Sequence, residues 1–531
     1  MAEEPTSAAD DSTTTERRSS RFGAGSGIAV LLGVLAFVFL FGWVGLRPNI
    51  TVPVLVGAFL GLLATDLVDS LVTGGIAGLC GSAIAAVVYH AHLFGAYLAR
   101  ISPAAKIDIG PYFQKGFVLP LIAANPVNHS RFGPVGVILT ATVLTVVVSA
   151  GVWWVVSRLS LRDSRWPGLV LIAALGVCLS WTLFAHSTSF VQTIRVNPAP
   201  KSYAFDPIIN LKTYYLMRGG MNYYDAIITA ASGDKRINDV RNLKWGRDWT
   251  IVSPTRVRQP LVFYFWALVG HFDATGILWA SILLAIGVWV AWYWALFALL
   301  GQRALFVAFA LFPLCVVHMA WFNLFHPDWW ASLMLMYSAA FLVAKRFKTS
   351  AVFALLAAMC REVVVFYLLV VLAVGAVRWL LKRESVRAVV PFAVALAVFV
   401  VAFGAHYLAE APYIVLKSGG STLAEIIQVS TRPLSSKLFG PTSYLMLPYG
   451  DGVVPGFVVD VIGTLGLFFV LRRSGYARWA LAGYLVFFLG FMAILGASST
   501  YWGQDISALG VVGCAVLVAG LDRLGVREET A

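Results

Sequence analysis

Four places in this 531-residue chain gather side chains that could do chemistry together. The first is Ala204-Phe205-Asp206-Pro207. The second is Tyr214-Tyr215, followed by Gly219-Gly220-Met221-Asn222-Tyr223-Tyr224-Asp225-Ala226. The third is Arg256-Val257-Arg258-Gln259-Pro260, which opens the aromatic run LVFYFW. The fourth joins His326-Pro327-Asp328 with Arg361-Glu362. A carboxylate takes a proton from a hydroxyl efficiently when partial burial moves its pKa toward the working pH. A guanidinium holds phosphate in bidentate geometry. Tyrosine rings such as Tyr223 and Tyr224 stack on sugar faces, and Asp225 beside them could bind sugar hydroxyls. Each place also has a simpler reading. Asp206-Pro207 could be a helix N-cap with Pro at N1, and Asp225 a solvated residue on an interfacial helix. Arg256 and Arg258 could anchor a helix at the headgroups. His326-Pro327-Asp328 could be a Pro-containing helix start with an acid in the first turn. Arg361-Glu362 is the more telling pair, because charge inside an apolar run is costly and is usually paired or functional.

The elements that must position these residues are membrane helices. The chain is 59% hydrophobic and 12% charged, against roughly 25% charged in soluble domains. Apolar runs of about 20 residues, enough to cross a hydrocarbon core of roughly 30 Å, recur more than ten times. The expected fold is an all-α polytopic membrane protein with about 12–14 transmembrane helices and a large extracytoplasmic loop carrying short helices. The net charge of +13 does not argue for nucleic acid. Most Lys and Arg fall in short connectors such as Arg158/Arg162/Arg165, Lys345/Arg346/Lys348, Lys382/Arg383/Arg387 and Arg472/Arg473/Arg478, as the positive-inside rule predicts. The five cysteines lie inside apolar runs without metal-like spacing, so neither a disulfide framework nor a zinc site is expected.

Four segments follow from the order of these features. Residues 1–26 read as a disordered cytoplasmic tail and 27–157 as an N-terminal transmembrane module. Residues 158–408 form a transmembrane core around the outer loop 187–260, and 409–531 hold a second outer loop and the last helices. Basic connectors place both chain ends in the cytoplasm and the 187–260 loop outside. The Gly-rich stretches GAFLGLL and TGGIAGLCGSA predict a close-packed helical hairpin. Asp66 and Asp69 between them are turn caps or a buried ion site. Arg100, Lys106, Lys115 and Arg131 in the 99–133 connector conflict with placing that connector outside. The 350–381 run, interrupted at Arg361-Glu362, predicts two shorter helices meeting near the outer surface.

An acid in a large outer loop, then a G-x-x-YY-x-A segment, then R-Q-P opening an aromatic helix, resembles the GT-C glycosyltransferases, polytopic enzymes that use polyprenyl-phosphate-linked sugars. The later H-P-D, the KRFK connector and the R-E interruption are similar to prokaryotic members. The resemblance covers about 167–400, and departs from the usual pattern in that several spans precede the acidic loop. It implies a membrane glycosyltransferase, a hexosyl- or pentosyltransferase of a prokaryotic plasma membrane, inverting by single displacement. Asp206 would be the catalytic base. Asp225, Tyr223, Tyr224, Arg256, Arg258, Gln259, His326, Asp328, Arg361 and Glu362 would bind substrate. Partners would be a polyprenyl-phosphate sugar donor, membrane lipid, and a glycolipid, polysaccharide or protein acceptor; no nucleic acid, metal or other cofactor is expected. Lys417, Arg432 and Lys437 in the second outer loop are further phosphate candidates.

Neither a G-x-x-x-x-G-K-[ST] loop nor a strand-borne G-x-G-x-x-G is present, which argues against ATP-driven transport and a nucleotide-sugar domain. The rival class is a secondary transporter or flippase for a lipid-linked or anionic solute, using ionisable groups on discontinuous helices. A non-catalytic scaffold of an envelope-assembly complex is a third reading. His90, His92, His186, His318 and His406 lack ligand spacing and read as structural.

Overall fold

A computed structural model describes residues 24–41, 44, 47–90, 133–196, 205–232, 259–270, 274–320, 322–410, 453–472, 474–495 and 504–524. Among these residues the chain is α-helical, with short 3-10 turns and no strand. The protein is an all-α, multi-pass membrane protein. In hydrocarbon, backbone N–H and C=O groups must be satisfied within the segment, and a helix does this locally. An N-terminal group comprises α1 (Ala24–Phe41), α2 (Pro48–Leu63), α3 (Leu67–His90) and α4 (Gly133–Arg158). The long α5 (Trp166–Val196) leads to two short helices, α6 (Phe205–Arg218) and α7 (Tyr223–Ser232), and then α8 (Leu261–Val269). Next come α9 (Ala274–Leu300), α10 (Phe306–Ala320), α11 (Pro327–Val343), α12 (Phe347–Cys360), α13 (Val365–Leu380) and α14 (Val386–Glu410). The chain finishes with α15 (Val453–Val470), α16 (Gly475–Leu495) and α17 (Gln504–Ala519).

Six helical stretches are long and apolar enough to cross a membrane, and five shorter apolar helices accompany them among the described residues. One long stretch, Thr275–Val316, doubles back at Gly301, whose φ of +59° suits glycine. Trp289 stacking on Phe312, ring centroids 6.2 Å apart, fixes α9 and α10 as an antiparallel hairpin. The expected 12–14 spans thus resolve into long crossings with shorter apolar helices packed among them. Exposed apolar side chains at helical spacing, Val135, Leu139, Val143 and Val147 on α4 and Val390, Val394, Val398 and Val401 on α14, are surfaces that water would not tolerate and lipid does.

The predicted Gly-rich hairpin is built differently from expectation. α2 and α3 touch, but each packs more extensively on α4, which was not part of that prediction. Gly57 and Gly61 of α2 lie against the backbone at Thr145 and Ser149, and Gly74 and Gly78 of α3 against the same ridge from the other side. Ser70 and Ser149 hydroxyls share a buried hydrogen bond of 2.7 Å. Small residues allow close approach by any helix, so they mark a tight interface without naming the partner. Between α2 and α3, Asp66 Oδ1 accepts from the Asp69 N–H at 2.8 Å, and Asp69 Oδ2 accepts from the Thr65 N–H at 2.8 Å. These are helix caps, the simpler of the two readings.

The basic connectors collect at one end of the bundle. Arg303 pairs with Asp522 at 2.7 Å, and Gln302 donates to the Ser164 carbonyl at 2.8 Å. Arg162 donates to the Ala64 carbonyl at 2.8 Å, and Tyr293 to Gln302 at 2.9 Å. Ser160, Lys345 and Lys382 take positive φ at this end. Each closes its helix with the paired bonds of a Schellman motif, as in Arg346 N–H to Phe341 O and Lys345 N–H to Leu342 O. The short helices α6 and α7 belong to the opposite end.

Candidate functional site

Two local features build the ionic centre of that opposite end. His326 is extended (φ −102°, ψ 120°) and Pro327 opens α11, so Asp328 falls in the first turn. Two tryptophans then fix the rotation of the helix. Trp329 Nε1 donates to Ser281 Oγ at 2.9 Å, and Trp330 Nε1 to the Leu324 carbonyl at 2.8 Å. With both indoles held, the Asp328 side chain is fully buried. The second feature is the interruption at Arg361, again extended (φ −147°, ψ 113°), followed by a 3-10 turn at Glu362–Val364. The two shorter helices expected from the sequence are α12 and α13, and the charged pair sits at their junction.

These features meet. Arg361 Nε donates to Asp328 Oδ1 at 2.8 Å and Nη1 to Glu362 Oε1 at 3.2 Å. His326 Nδ1 contacts Asp328 Oδ2. The side chains of Arg361 and Asp328 are 1% and 0% exposed, that of Glu362 24%, so the cluster reaches the surface through Glu362. Burying a lone charge costs several kcal/mol, of order, whereas a hydrogen-bonded pair offsets much of that cost. Arg361 therefore bridges two carboxylates, Asp328 from the first turn of α11 and Glu362 from its own turn, and offsets the burial of Asp328.

An aromatic lane joins this centre to the short helices. Tyr223 of α7 lies 5.0 Å from Phe263 of α8, Phe263 5.0 Å from Trp266, and Trp266 6.1 Å from Trp330 and 5.9 Å from Phe325, all between ring centroids. Polar bonds pin the same elements: Asn210 Nδ2 of α6 donates to the Phe325 carbonyl at 2.9 Å, and Tyr214 OH to the Gly270 carbonyl at 2.7 Å. Tyr224 shares a 2.9 Å hydrogen bond with His406 Nδ1, which ties α7 to α14. Gln259, just ahead of α8, is 1% exposed, and among the described residues neither amide atom has a hydrogen-bond partner. A buried amide without partners carries a desolvation cost, and a ligand that supplied partners would remove it.

Of the residues singled out from sequence, His326, Asp328, Arg361 and Glu362 form one cluster. Tyr223, Tyr224 and Gln259 belong to the elements around it. Asp225 is at the same end but differently engaged. Asn222 Nδ2 donates to its carboxylate, and the Asp225 N–H donates back to Asn222 Oδ1 at 3.0 Å, a reciprocal box closing the start of α7. Asp206 lies in the first turn of α6 with Pro207 after it; its side chain, and the whole of Arg256, Arg258, Lys417, Arg432 and Lys437, lie outside the described residues. His318 and His406 read as structural, yet both have specific company. His406 holds Tyr224, and His318 stacks on Trp329 at 4.9 Å, its buried Nδ1 without a hydrogen-bond partner among the described residues. Asn210 gives a sequence reading nothing to find, because a lone Asn in an amphipathic helix carries no local signal. Among the described residues no three His, Cys, Asp or Glu side chains are placed to hold a metal ion.

No family model, curated protein or solved structure matches the chain.

Proposed function

We propose that this protein is a membrane glycosyltransferase that moves a sugar from a polyprenyl-phosphate-linked donor to an acceptor on the extracytoplasmic face of a prokaryotic plasma membrane, with both termini cytoplasmic. The observation that carries the reading is the convergence of His326, Asp328, Arg361 and Glu362 at the bundle end opposite the basic connectors. The same end holds α6, with Asp206 in its first turn, and the Tyr223–Trp266 aromatic lane. Transfer needs a base, cationic stabilisation of a leaving phosphate, and an apolar route for the lipid. In the proposed step the acceptor oxygen bonds to the anomeric carbon as the carbon–oxygen bond to phosphate breaks. The acceptor proton passes to the Asp206 carboxylate, and the polyprenyl phosphate departs with the bonding electron pair. Arg256 or Arg258 would hold the phosphate; the Arg361 cluster would hold α11, α12 and α13 in register beneath it, with Glu362 presented to the acceptor or sugar. The acceptor is a glycolipid, polysaccharide or protein, and the reading requires no cofactor.

The test is Asp206→Asn in the full-length protein, assayed with a polyprenyl-phosphate sugar. Loss of turnover of about 10²-fold or more, with unchanged unfolding temperature, is the expected outcome; near-native turnover removes Asp206 from the mechanism. One observation favours a second reading, a transporter or flippase. The α12–α13 pair is a broken helix with buried charge at its break, the arrangement that transporters use at solute sites. Solute flux in proteoliposomes without a covalent product would select that reading.

A further inference from the structure

A second ionisable centre lies in the C-terminal helices, away from the cluster at Arg361. Asp460 of α15 is fully buried, and among the described residues neither carboxylate oxygen has a hydrogen-bond partner. It stands where α15 and α17 pack glycine on glycine. A Cβ placed on Gly463 would come within 2.8 Å of the Gly510 Cα, and one on Gly466 within 2.9 Å of the Gly513 carbonyl carbon. Gly510 itself faces Asp460 Oδ1, so only glycine leaves room for the carboxyl.

Two donors nearby, among the described residues, are spent elsewhere. Thr464 Oγ1 donates to the Asp460 backbone carbonyl at 2.7 Å, and Cys514 Sγ to the Val459 carbonyl at 3.1 Å. Among the described residues, α16 and α17 pack on α15. On α17 the described titratable group near Asp460 is the Cys514 thiol; the side chain of Asp505 lies outside the described residues. On α16, Arg478 lies over the Phe468 ring, 4.4 Å from its centroid, two turns of α15 beyond Asp460. No cation among the described residues pairs with Asp460.

A buried carboxylate without a partner is very costly in such surroundings, whereas the neutral acid is tolerated. We propose that Asp460 is a reversible proton-binding site within the membrane, and that the bound proton keeps α15 and α17 at glycine contact. The equilibrium is carboxylic acid to carboxylate plus a proton; the charged form would stand against the Gly510 backbone and press the crossing apart. The inference is independent of the proposed transfer reaction.

An apolar carbodiimide adds to a carboxylic acid but not to its carboxylate: the acid proton goes to the reagent nitrogen, oxygen bonds to its central carbon, and rearrangement leaves a stable N-acylurea. Full-length protein in its membrane would be treated with this reagent across a pH series and its peptides weighed. The expected result is an adduct at Asp460 at acid and neutral pH that is lost at alkaline pH, is absent in Asp460→Asn, and does not form with a water-soluble carbodiimide. Failure of Asp460 to react at any pH while other carboxyls react would overturn the proposal. So would an adduct whose yield does not change with pH. The decisive measurement uses the native chain, so it does not depend on the folding of the Asn variant.

Discussion

Arg361 satisfies Asp328 and Glu362 at once, and both partners differ in what they lose without it. Asp328 is fully buried, so removing Arg361 strands a charge in apolar surroundings. Arg361→Met and Asp328→Asn should each lower stability by about 3–5 kcal/mol, with the double substitution costing much less than the sum. Thermal unfolding of the detergent-solubilised protein measures this, and strictly additive losses would show that the pair is not coupled. Glu362 keeps 24% of its side chain exposed, and solvent screens its bond to Arg361. Glu362→Gln should therefore leave the unfolding midpoint nearly unchanged while impairing transfer under the proposed reading. Tyr224→Phe removes the bond to His406 without changing ring packing, and should cost about 1 kcal/mol.

Helices here are delimited by different physical means, and those means differ in how well they read from sequence. The junction of α12 and α13 was visible because Arg361-Glu362 breaks an apolar run. The caps at Asp66 and Asp69 were visible because Asp before a helical run is a frequent local pattern. The end of α6 is set by Gly220, with φ of +94°, whose N–H bonds to the Met217 carbonyl. Gly220→Ala should cost about 1 kcal/mol in strain even though its Cβ would meet nothing. If unfolding of that variant matches the native protein, the turn relaxes and does not define the end of α6. The interior glycines work differently. Gly61 lies against the backbone of α4 at Ser149, so Gly61→Leu should separate α2 from α4 and lower the unfolding midpoint sharply. An unchanged midpoint would show that the two helices are not packed at glycine distance.

The molecule has two unlike ends. At one, Arg162 bonds to the Ala64 carbonyl, Gln302 to the Ser164 carbonyl and Arg303 to Asp522, and the turns at Lys345 and Lys382 close their helices; at the other lie α6, α7 and the Arg361 cluster. If the basic end is cytoplasmic, cysteines at exposed Ser385 and Gly219 should react with a membrane-impermeant maleimide from opposite sides. Labelling of both from one side would refute this arrangement. The sequence by itself determined the membrane class, the helical fold, the placing of basic residues in short connectors between helices, and the break at Arg361. All of these follow from local composition, because the bilayer fixes span length and penalises charge along the chain. Only the tertiary structure decided which residues meet. Asp328 and Arg361 are 33 positions apart, Tyr224 and His406 182, and Asn210 bonds to Phe325 115 positions away. It also decided that α4 packs against the glycines of both α2 and α3, and that Asp460 has no partner among the described residues. Periodicity tells a helix which face to bury but not against what. That choice rests on close packing and on the satisfaction of buried polar groups between segments distant in sequence.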